Sequence, residues 1–134
     1  MKDTSEVVFD DLPEDHPQYE AGRFLFDYGY LEPVSDTEFG IDEPVSMNEL
    51  LGVMYYEFGG ENDPDTAYDL FSQMGLIGAT VDREGVATEL DAIGLINGVL
   101  AMSGETWSFE ADETPLTRGR LGEILIQFED EFAE

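Results

Sequence analysis

Phe39-Gly40-Ile41-Asp42-Glu43-Pro44-Val45 runs into Ser46-Met47-Asn48-Glu49-Leu50. The same order returns, one residue longer, as Phe109-Glu110-Ala111-Asp112-Glu113-Thr114-Pro115-Leu116 ahead of Thr117-Arg118-Gly119-Arg120-Leu121. In the first copy Ser46 can accept from the Glu49 amide while the Glu49 carboxylate reaches back, and Val45 and Leu50 are spaced to staple the entry. A glycine followed by two apolar residues also recurs, at Gly29-Tyr30-Leu31, Gly75-Leu76-Ile77 and Gly94-Leu95-Ile96. Self-similarity at this spacing marks a small helical unit copied along a chain. Proteins built this way more often hold something than convert it.

Working outward from these copies, the apolar spacing predicts five helices and little or no strand. Residues 1–8 read as a polar lead-in ending in Val7 and Val8, and Phe9-Asp10-Asp11-Leu12-Pro13 as a turn. A first helix starts at Asp15 or His16, ahead of Pro17, because proline at the first helical position loses no useful N–H. It carries Tyr19, Ala21, Phe24, Leu25 and Tyr28 and ends at Gly29. Tyr30 to Pro44 is a loop. The second helix follows Ser46, carries Leu50, Leu51, Val53, Met54 and Phe58, and stops at Gly59-Gly60. A third begins near Asp65, with Ala67, Tyr68, Leu70, Phe71 and Met74, and ends at Gly75. A fourth spans Val86 to Met102, with Leu90, Ile93, Ile96 and Leu100 in period. Gly94 and Gly98 interrupt it, each costing about 1 kcal/mol against alanine, so a break near Gly94 is expected. The fifth runs from Thr117 to about Phe132 with Leu121, Ile124, Leu125, Phe128 and Phe132 on one face.

Composition narrows the function classes. The 134 residues suit one domain able to bury a core of roughly two-thirds of the unfolded surface. Thirty-two acidic residues oppose five basic ones, a net charge of −27, and the acid is spread evenly over both halves. Attraction to nucleic-acid phosphates comes from Lys and Arg, so no nucleic acid partner is expected, and anionic membrane surfaces are disfavoured too. No apolar run approaches the ~20 residues of a membrane span, so no membrane insertion is expected. Met1-Lys2-Asp3-Thr4-Ser5-Glu6 is followed by no apolar signal-peptide core, which fits either a cytosolic chain or a mature piece of an exported one. With no cysteine and one histidine, thiolate and His-rich metal sites are excluded and no cofactor is expected. Carboxylate-rich loops suit calcium in principle, but neither Ser35-Asp36-Thr37-Glu38-Phe39-Gly40 nor Asp63-Pro64-Asp65 has EF-hand spacing, so no metal is assigned. His16 beside Asp15 has no nearby Ser or Cys nucleophile and reads as structural; no catalytic residue is assigned, and the chain reads as no enzyme.

The ordered motifs resemble the S-layer homology (SLH) module of bacterial cell-surface proteins. Phe9-Asp10-Asp11-Leu12-Pro13 and Asp15-His16-Pro17-Gln18-Tyr19 resemble the opening of a repeat. Gly29-Tyr30-Leu31, Phe39 and Val45-Ser46-Met47-Asn48-Glu49 complete a first copy over about 9–60. Gly75-Leu76-Ile77-Gly78 and Val86-Ala87-Thr88-Glu89 form a compressed second copy over about 64–102. Gly94-Leu95-Ile96-Asn97-Gly98, Phe109 and Leu116-Thr117-Arg118-Gly119-Arg120 form a third over about 88–134, sharing a helix with the second. The resemblance implies a single all-α domain of about five helices, in two to three helix-loop-helix repeats packed as a pseudo-threefold bundle. It also implies an extracellular place on the bacterial cell wall, as part of a larger exported protein. The partner it implies is an anionic cell-wall polysaccharide, whose acidic or pyruvylated sugars the motif arginines grip. In this chain the motif arginine is Met47 in the first copy, is absent from the second where Ala87 or Thr88 falls, and is present as Arg118 in the third.

The ligand-binding candidates are therefore Arg118, Arg120, Trp107 and Asp112. Arg118 reads either as a sugar-binding fork at a helix N-terminus or as a surface arginine pairing with Asp112 or Glu113. Trp107 reads as a ring that stacks on a sugar or as an anchor packed between repeats. The aromatics of the first helix and beyond (Phe24, Phe26, Tyr28, Tyr30, then Tyr55 and Tyr56) read either as a partner surface or, for most of them, as core, with Phe26 or one tyrosine exposed. An alternative function class follows from charge alone: a cytoplasmic acidic protein that mimics nucleic acid, captures a basic protein partner and inhibits a DNA-binding enzyme.

Overall fold

A computed structural model describes residues 9–78, 82–109 and 111–132, with the Phe132 side chain outside the description. Val7, Val8 and Glu110, which figure in the sequence reading, also lie outside the described residues. Among the described residues the chain forms five helices and no strand longer than an isolated bridge. They are α1 (Tyr19–Asp27), α2 (Met47–Glu57), α3 (Pro64–Gln73), α4 (Glu89–Ala101) and α5 (Arg118–Phe132). The all-α expectation therefore holds. The chain divides into two compact units, Met1–Glu43 with Thr117–Glu134 and Pro44–Leu116.

In the unit Pro44–Leu116, helix α2 begins as its sequence demands. Ser46 Oγ accepts from the Glu49 amide at 3.1 Å, and the Ser46 amide donates to the Glu49 carboxylate at 3.2 Å. Helix α4 has a second capping box, Thr88 with Asp91, at 3.1 and 2.9 Å. That box moves the start of α4 to Glu89, three residues later than apolar spacing suggests. Val86 is instead extended, bridged to Ser46, and 53% exposed. Leu90, expected on the inner face, is 47% exposed, while Ala92, Ile93, Leu95, Ile96 and Leu100 form the buried side. Gly94 does not break the helix. An added Cβ at Gly98 would meet the Leu76 side chain at 2.4 Å, so this glycine lets the segment after α3 approach α4 closely. Helix α3 begins one residue before the predicted Asp65, because the Asp63 carboxylate accepts from the Asp65 and Thr66 amides and Pro64 supplies the first helical residue. Its buried face is narrower than predicted: Ala67 and Phe71 are enclosed, while Leu70 is 38% exposed. The core of this unit is Val45, Leu50, Leu51, Val53, Met54, Phe71, Ile96 and Leu116.

The same unit contains a closed exchange of backbone hydrogen bonds. The Val45 amide donates to the Leu116 carbonyl at 2.8 Å, Leu116 to Ala87 at 2.9 Å, and Ala87 back to Val45 at 2.8 Å. Each donor immediately precedes a capping hydroxyl: Ser46, Thr88 or Thr117. The first two helical amides of α2, on Met47 and Asn48, donate to the Gly85 and Arg83 carbonyls. Those of α4, on Glu89 and Leu90, donate to Thr114 and Asp112.

In the other unit, α1 packs on α5. Helix α1 starts at Tyr19, later than predicted, because the Gln18 amide donates to His16 Nδ1 (2.9 Å) and the Tyr19 amide to the His16 carbonyl (3.0 Å). Pro17 thus lies in a turn. The structural reading of His16 fits that placement. Gly29 ends the helix with φ +78°, as a left-handed stop requires. Helix α5 buries Leu121, Ile124, Leu125 and Phe128. Its first amides, on Arg118 and Gly119, donate to the Glu43 and Ile41 carbonyls at 3.0 Å each, and Arg120 N donates to Thr117 Oγ1. Phe9, Leu12, Leu25, Phe39 and Ile41 complete the interior, with Phe9 edge-on to Phe26 at 5.0 Å.

Two glycines test this packing in opposite directions. Nothing lies within 4 Å of a Cβ added at Gly94, whereas one added at Gly122 would sit 2.5 Å from the Ala21 carbonyl oxygen. Urea unfolding should show Gly94→Ala stabilising by about 1 kcal/mol. Gly122→Ala should destabilise by about 1–3 kcal/mol despite the same gain in helix propensity, because backbone cannot yield.

Candidate functional site

The residues singled out from sequence fall in both units. In the unit built on α1 and α5, Arg118 occupies the first helical position of α5. Its side chain is 8% exposed, and Nη1 donates to the Glu32 carbonyl at 2.6 Å and the Phe39 carbonyl at 3.0 Å. The guanidinium lies over the Phe39 ring, 5.3 Å from its centroid. Arg118 therefore spends donors on backbone carbonyls in the protein interior. Arg120, two residues on, is half-buried and stands 3.6 Å from the Glu123 carboxylate.

In the other unit, Trp107 is 5% exposed. Its amide donates to Asn97 Oδ1 at 2.6 Å, its carbonyl accepts from Asn97 Nδ2 at 3.2 Å, and its ring lies 4.7 Å from that of Phe109. This is the packed-anchor environment foreseen as one of its two readings. Asp112 is exposed; hydrogen bonds from the Thr114 hydroxyl and then the Thr114 amide lower its carboxyl pKa below the ordinary value. Met47, at the helix start of α2, is 7% exposed. The capping pattern shows which residue stands at the matching place in α4: it is Glu89, after the Thr88 cap, rather than Ala87 or Thr88.

Sequence reading missed Asp11. The turn Phe9–Leu12 buries both apolar residues and turns the Asp11 carboxylate onto the loop at residues 39–41. That carboxylate accepts three consecutive amides, from Phe39 (2.8 Å), Gly40 (2.7 Å) and Ile41 (2.9 Å). Three successive N–H groups converge only because Gly40 takes φ +85°, forming an anion-binding nest. Burial works to raise the Asp11 pKa, but the amide bonds from Ile41, Phe39 and Gly40 outweigh it and hold the carboxyl below its ordinary value. One short loop is thus gripped on its donor side by Asp11 and on its acceptor side by Arg118. Partners 28–30 residues away leave no local pattern to read.

A second feature of this unit is an open groove of about 560 Å³ along α1 and α5, lined by Phe24, Tyr28, Tyr30, Glu20, Glu129 and Asp130 among others. Phe24 stacks on Tyr30 at 5.1 Å and lies 5.3 Å from Tyr28, and the Tyr30 hydroxyl donates to Glu129 at 3.2 Å. The exposed tyrosine anticipated from sequence is Tyr28, at 64%. Among the described residues, no group of three or more His, Asp or Glu side chains is arranged to hold a metal ion. No helix there is long and apolar enough to cross a membrane.

No protein-family model matches this chain, and no curated protein matches it.

The Asp11 grip has a pH signature. Its carboxyl pKa is lower in the folded chain than the unfolded value near about 3.9. Its contribution is therefore complete above that value and lost as pH falls through the folded pKa. Asp11→Asn should cost about 1–3 kcal/mol at neutral pH, and the gap to the wild type should close on acidification below about pH 4. Urea unfolding across pH would reject the account if the gap stayed constant. For Arg118, replacement by methionine, the residue at the α2 helix start, should cost about 2–4 kcal/mol by leaving buried carbonyls unsatisfied. Arg118→Lys should lose less. Equal stability of all three chains would contradict the interior role.

Proposed function

We propose that the chain is a degenerate SLH-like module, three copies of one helix-start unit in pseudo-threefold order. In this reading it attaches a larger exported bacterial protein to the cell surface, or serves as its structural appendage, without catalysis. The observation that carries the reading is the matching of three helix starts. In α2, α4 and α5 a Ser or Thr hydroxyl accepts from the third helical amide. In each, the first and second helical amides donate to carbonyls two and four residues before the apolar residue that precedes another helix's cap: Gly85 and Arg83 before Ala87, Thr114 and Asp112 before Leu116, Glu43 and Ile41 before Val45. Those three apolar residues are the ones that exchange bonds in a closed cycle. Such cyclic order has a natural origin in a repeated unit and none in a requirement for negative charge alone.

The burial of Arg118 shapes the attachment half of the proposal. Of the four candidate residues, Arg118 and Trp107 are enclosed, and Arg120 and Asp112 keep surface. Arg120 is then the cation best able to meet an acidic sugar, with a guanidinium fork suited to carboxylates.

Cosedimentation with purified bacterial cell walls tests this. The wild type is expected to pellet with intact walls, Arg120→Ala to pellet less, and both to stay in solution when the walls are stripped of their anionic polysaccharide. A wild type that never pellets would remove the attachment role and leave the appendage.

A further inference from the structure

We infer that the groove along α1 and α5 is a docking site for a basic polypeptide segment, seating a lysine or arginine side chain against Phe24, Tyr28 and Tyr30. The argument begins with complementarity. Aromatic faces are electron-rich and attract ammonium and guanidinium groups placed over them. Here three rings are gathered into one array, Phe24 stacked on Tyr30 and tilted against Tyr28, beside the carboxylates of Glu20, Glu129 and Asp130. The one base among the lining residues, Arg23, is held in an ion pair with Asp27 at 2.9 Å and lies over the Phe26 ring. The groove therefore presents rings and net negative charge together. An apolar ligand would gain nothing from the carboxylates, and an anionic one would be repelled by them.

Size and field favour a segment of chain over a free ion. About 560 Å³ exceeds one side chain and suits a cationic side chain with flanking backbone. A surface carrying a net −27 steers positively charged partners toward it and speeds their encounter. Tyr28 is the ring best able to close over such a cation, being 64% exposed at the end of α1. The site is separate from Arg120 and does not depend on attachment to polysaccharide.

Fluorescence anisotropy with a short fluorescein-labelled peptide alternating lysine and glycine, at about 0.1 M salt to suppress diffuse attraction, tests the inference. Tyr28→Ala leaves the net charge unchanged and should weaken binding about three- to tenfold. Glu20→Gln combined with Asp130→Asn should weaken it more than Asp36→Asn combined with Glu38→Gln, which removes the same charge from a loop outside the groove. If Tyr28→Ala binds as well as wild type, or the two charge-removing pairs are equivalent, the attraction is diffuse and the groove is not a site. An oligomer of glucosamine that binds with Tyr28 dependence while the peptide does not would also overturn the assignment, by making the occupant a cationic sugar.

Discussion

An α-helix begins with backbone amides that have no partner within the helix, and how those amides are satisfied organises this chain. A side chain can cap only part of the set. In α2, α4 and α5 the hydroxyl of Ser46, Thr88 or Thr117 takes the third amide, and carbonyls of another loop take the first two. At α2 and α4 the amide of the cap residue itself is taken as well, by the Glu49 and Asp91 carboxylates. Within Pro44–Leu116 the residues just before the caps also trade bonds with one another, Val45 to Leu116 to Ala87 to Val45. All three are fully buried. Each net bond contributes only about 0.5–1.5 kcal/mol, while an orphaned buried amide costs about 1–3, so breaking one member of a closed cycle exposes two groups at once. That asymmetry ties three segments distant in sequence into one arrangement.

The same economy governs the charges. The chain has four arginines and one lysine, Lys2, which lies outside the described residues. Arg118 is bound to the carbonyls of Glu32 and Phe39, and Arg23 to Asp27. Arg83 reaches Asn48 and Asp65 with its guanidinium over Tyr68, and Arg120 stands beside Glu123. Every arginine is engaged with the chain itself. The chain's 32 acidic residues outnumber its five basic ones about six to one, and several carboxylates have backbone duties, among them Asp11, Glu49 and Asp91. The net charge of −27 follows from that imbalance, and the arginines add no cation without a partner in the chain.

Sequence made visible what depends on near neighbours. The Ser46–Glu49 box, the stops at Gly29, Gly59 and Gly75, and the inner face of α5 each follow from residues within one or two turns of each other. The second box is harder to see because Asp91, shorter in reach than glutamate, closes it, and the apolar Val86 suggests an earlier helix start. The continuity of α4 through Gly94 shows tertiary burial of Ile93, Leu95 and Ile96 overriding a local propensity cost. What stayed hidden are bonds across long loops. The grip of Asp11 on residues 39–41, and of Arg118 on carbonyls 79 and 86 residues back, depend on which loops meet, and no spacing rule encodes that. The candidate site is accordingly less legible than the fold: Arg118 reads as a surface residue yet lies buried, whereas the expectation of one exposed tyrosine among the aromatics is met by Tyr28.

Why the three helix starts tolerate such different first residues follows from the same bonds. Only the backbone N–H of Met47, Glu89 and Arg118 takes part in the pattern, so it places no demand on the side chain there. Each residue answers instead to its surroundings. Glu89 complements the positive end of the helix dipole, and Met47 fills an apolar space at 7% exposure. Arg118 is the costly member, a cation at the wrong pole of a helix and taken out of water. It is tolerated because two carbonyl oxygens and the face of Phe39 meet the guanidinium where it is buried. An arginine committed in this way stabilises the loop at 39–43 and has correspondingly little left for a ligand. The Arg120 side chain and the ring-lined groove of α1 and α5 take no part in the helix-start bonds.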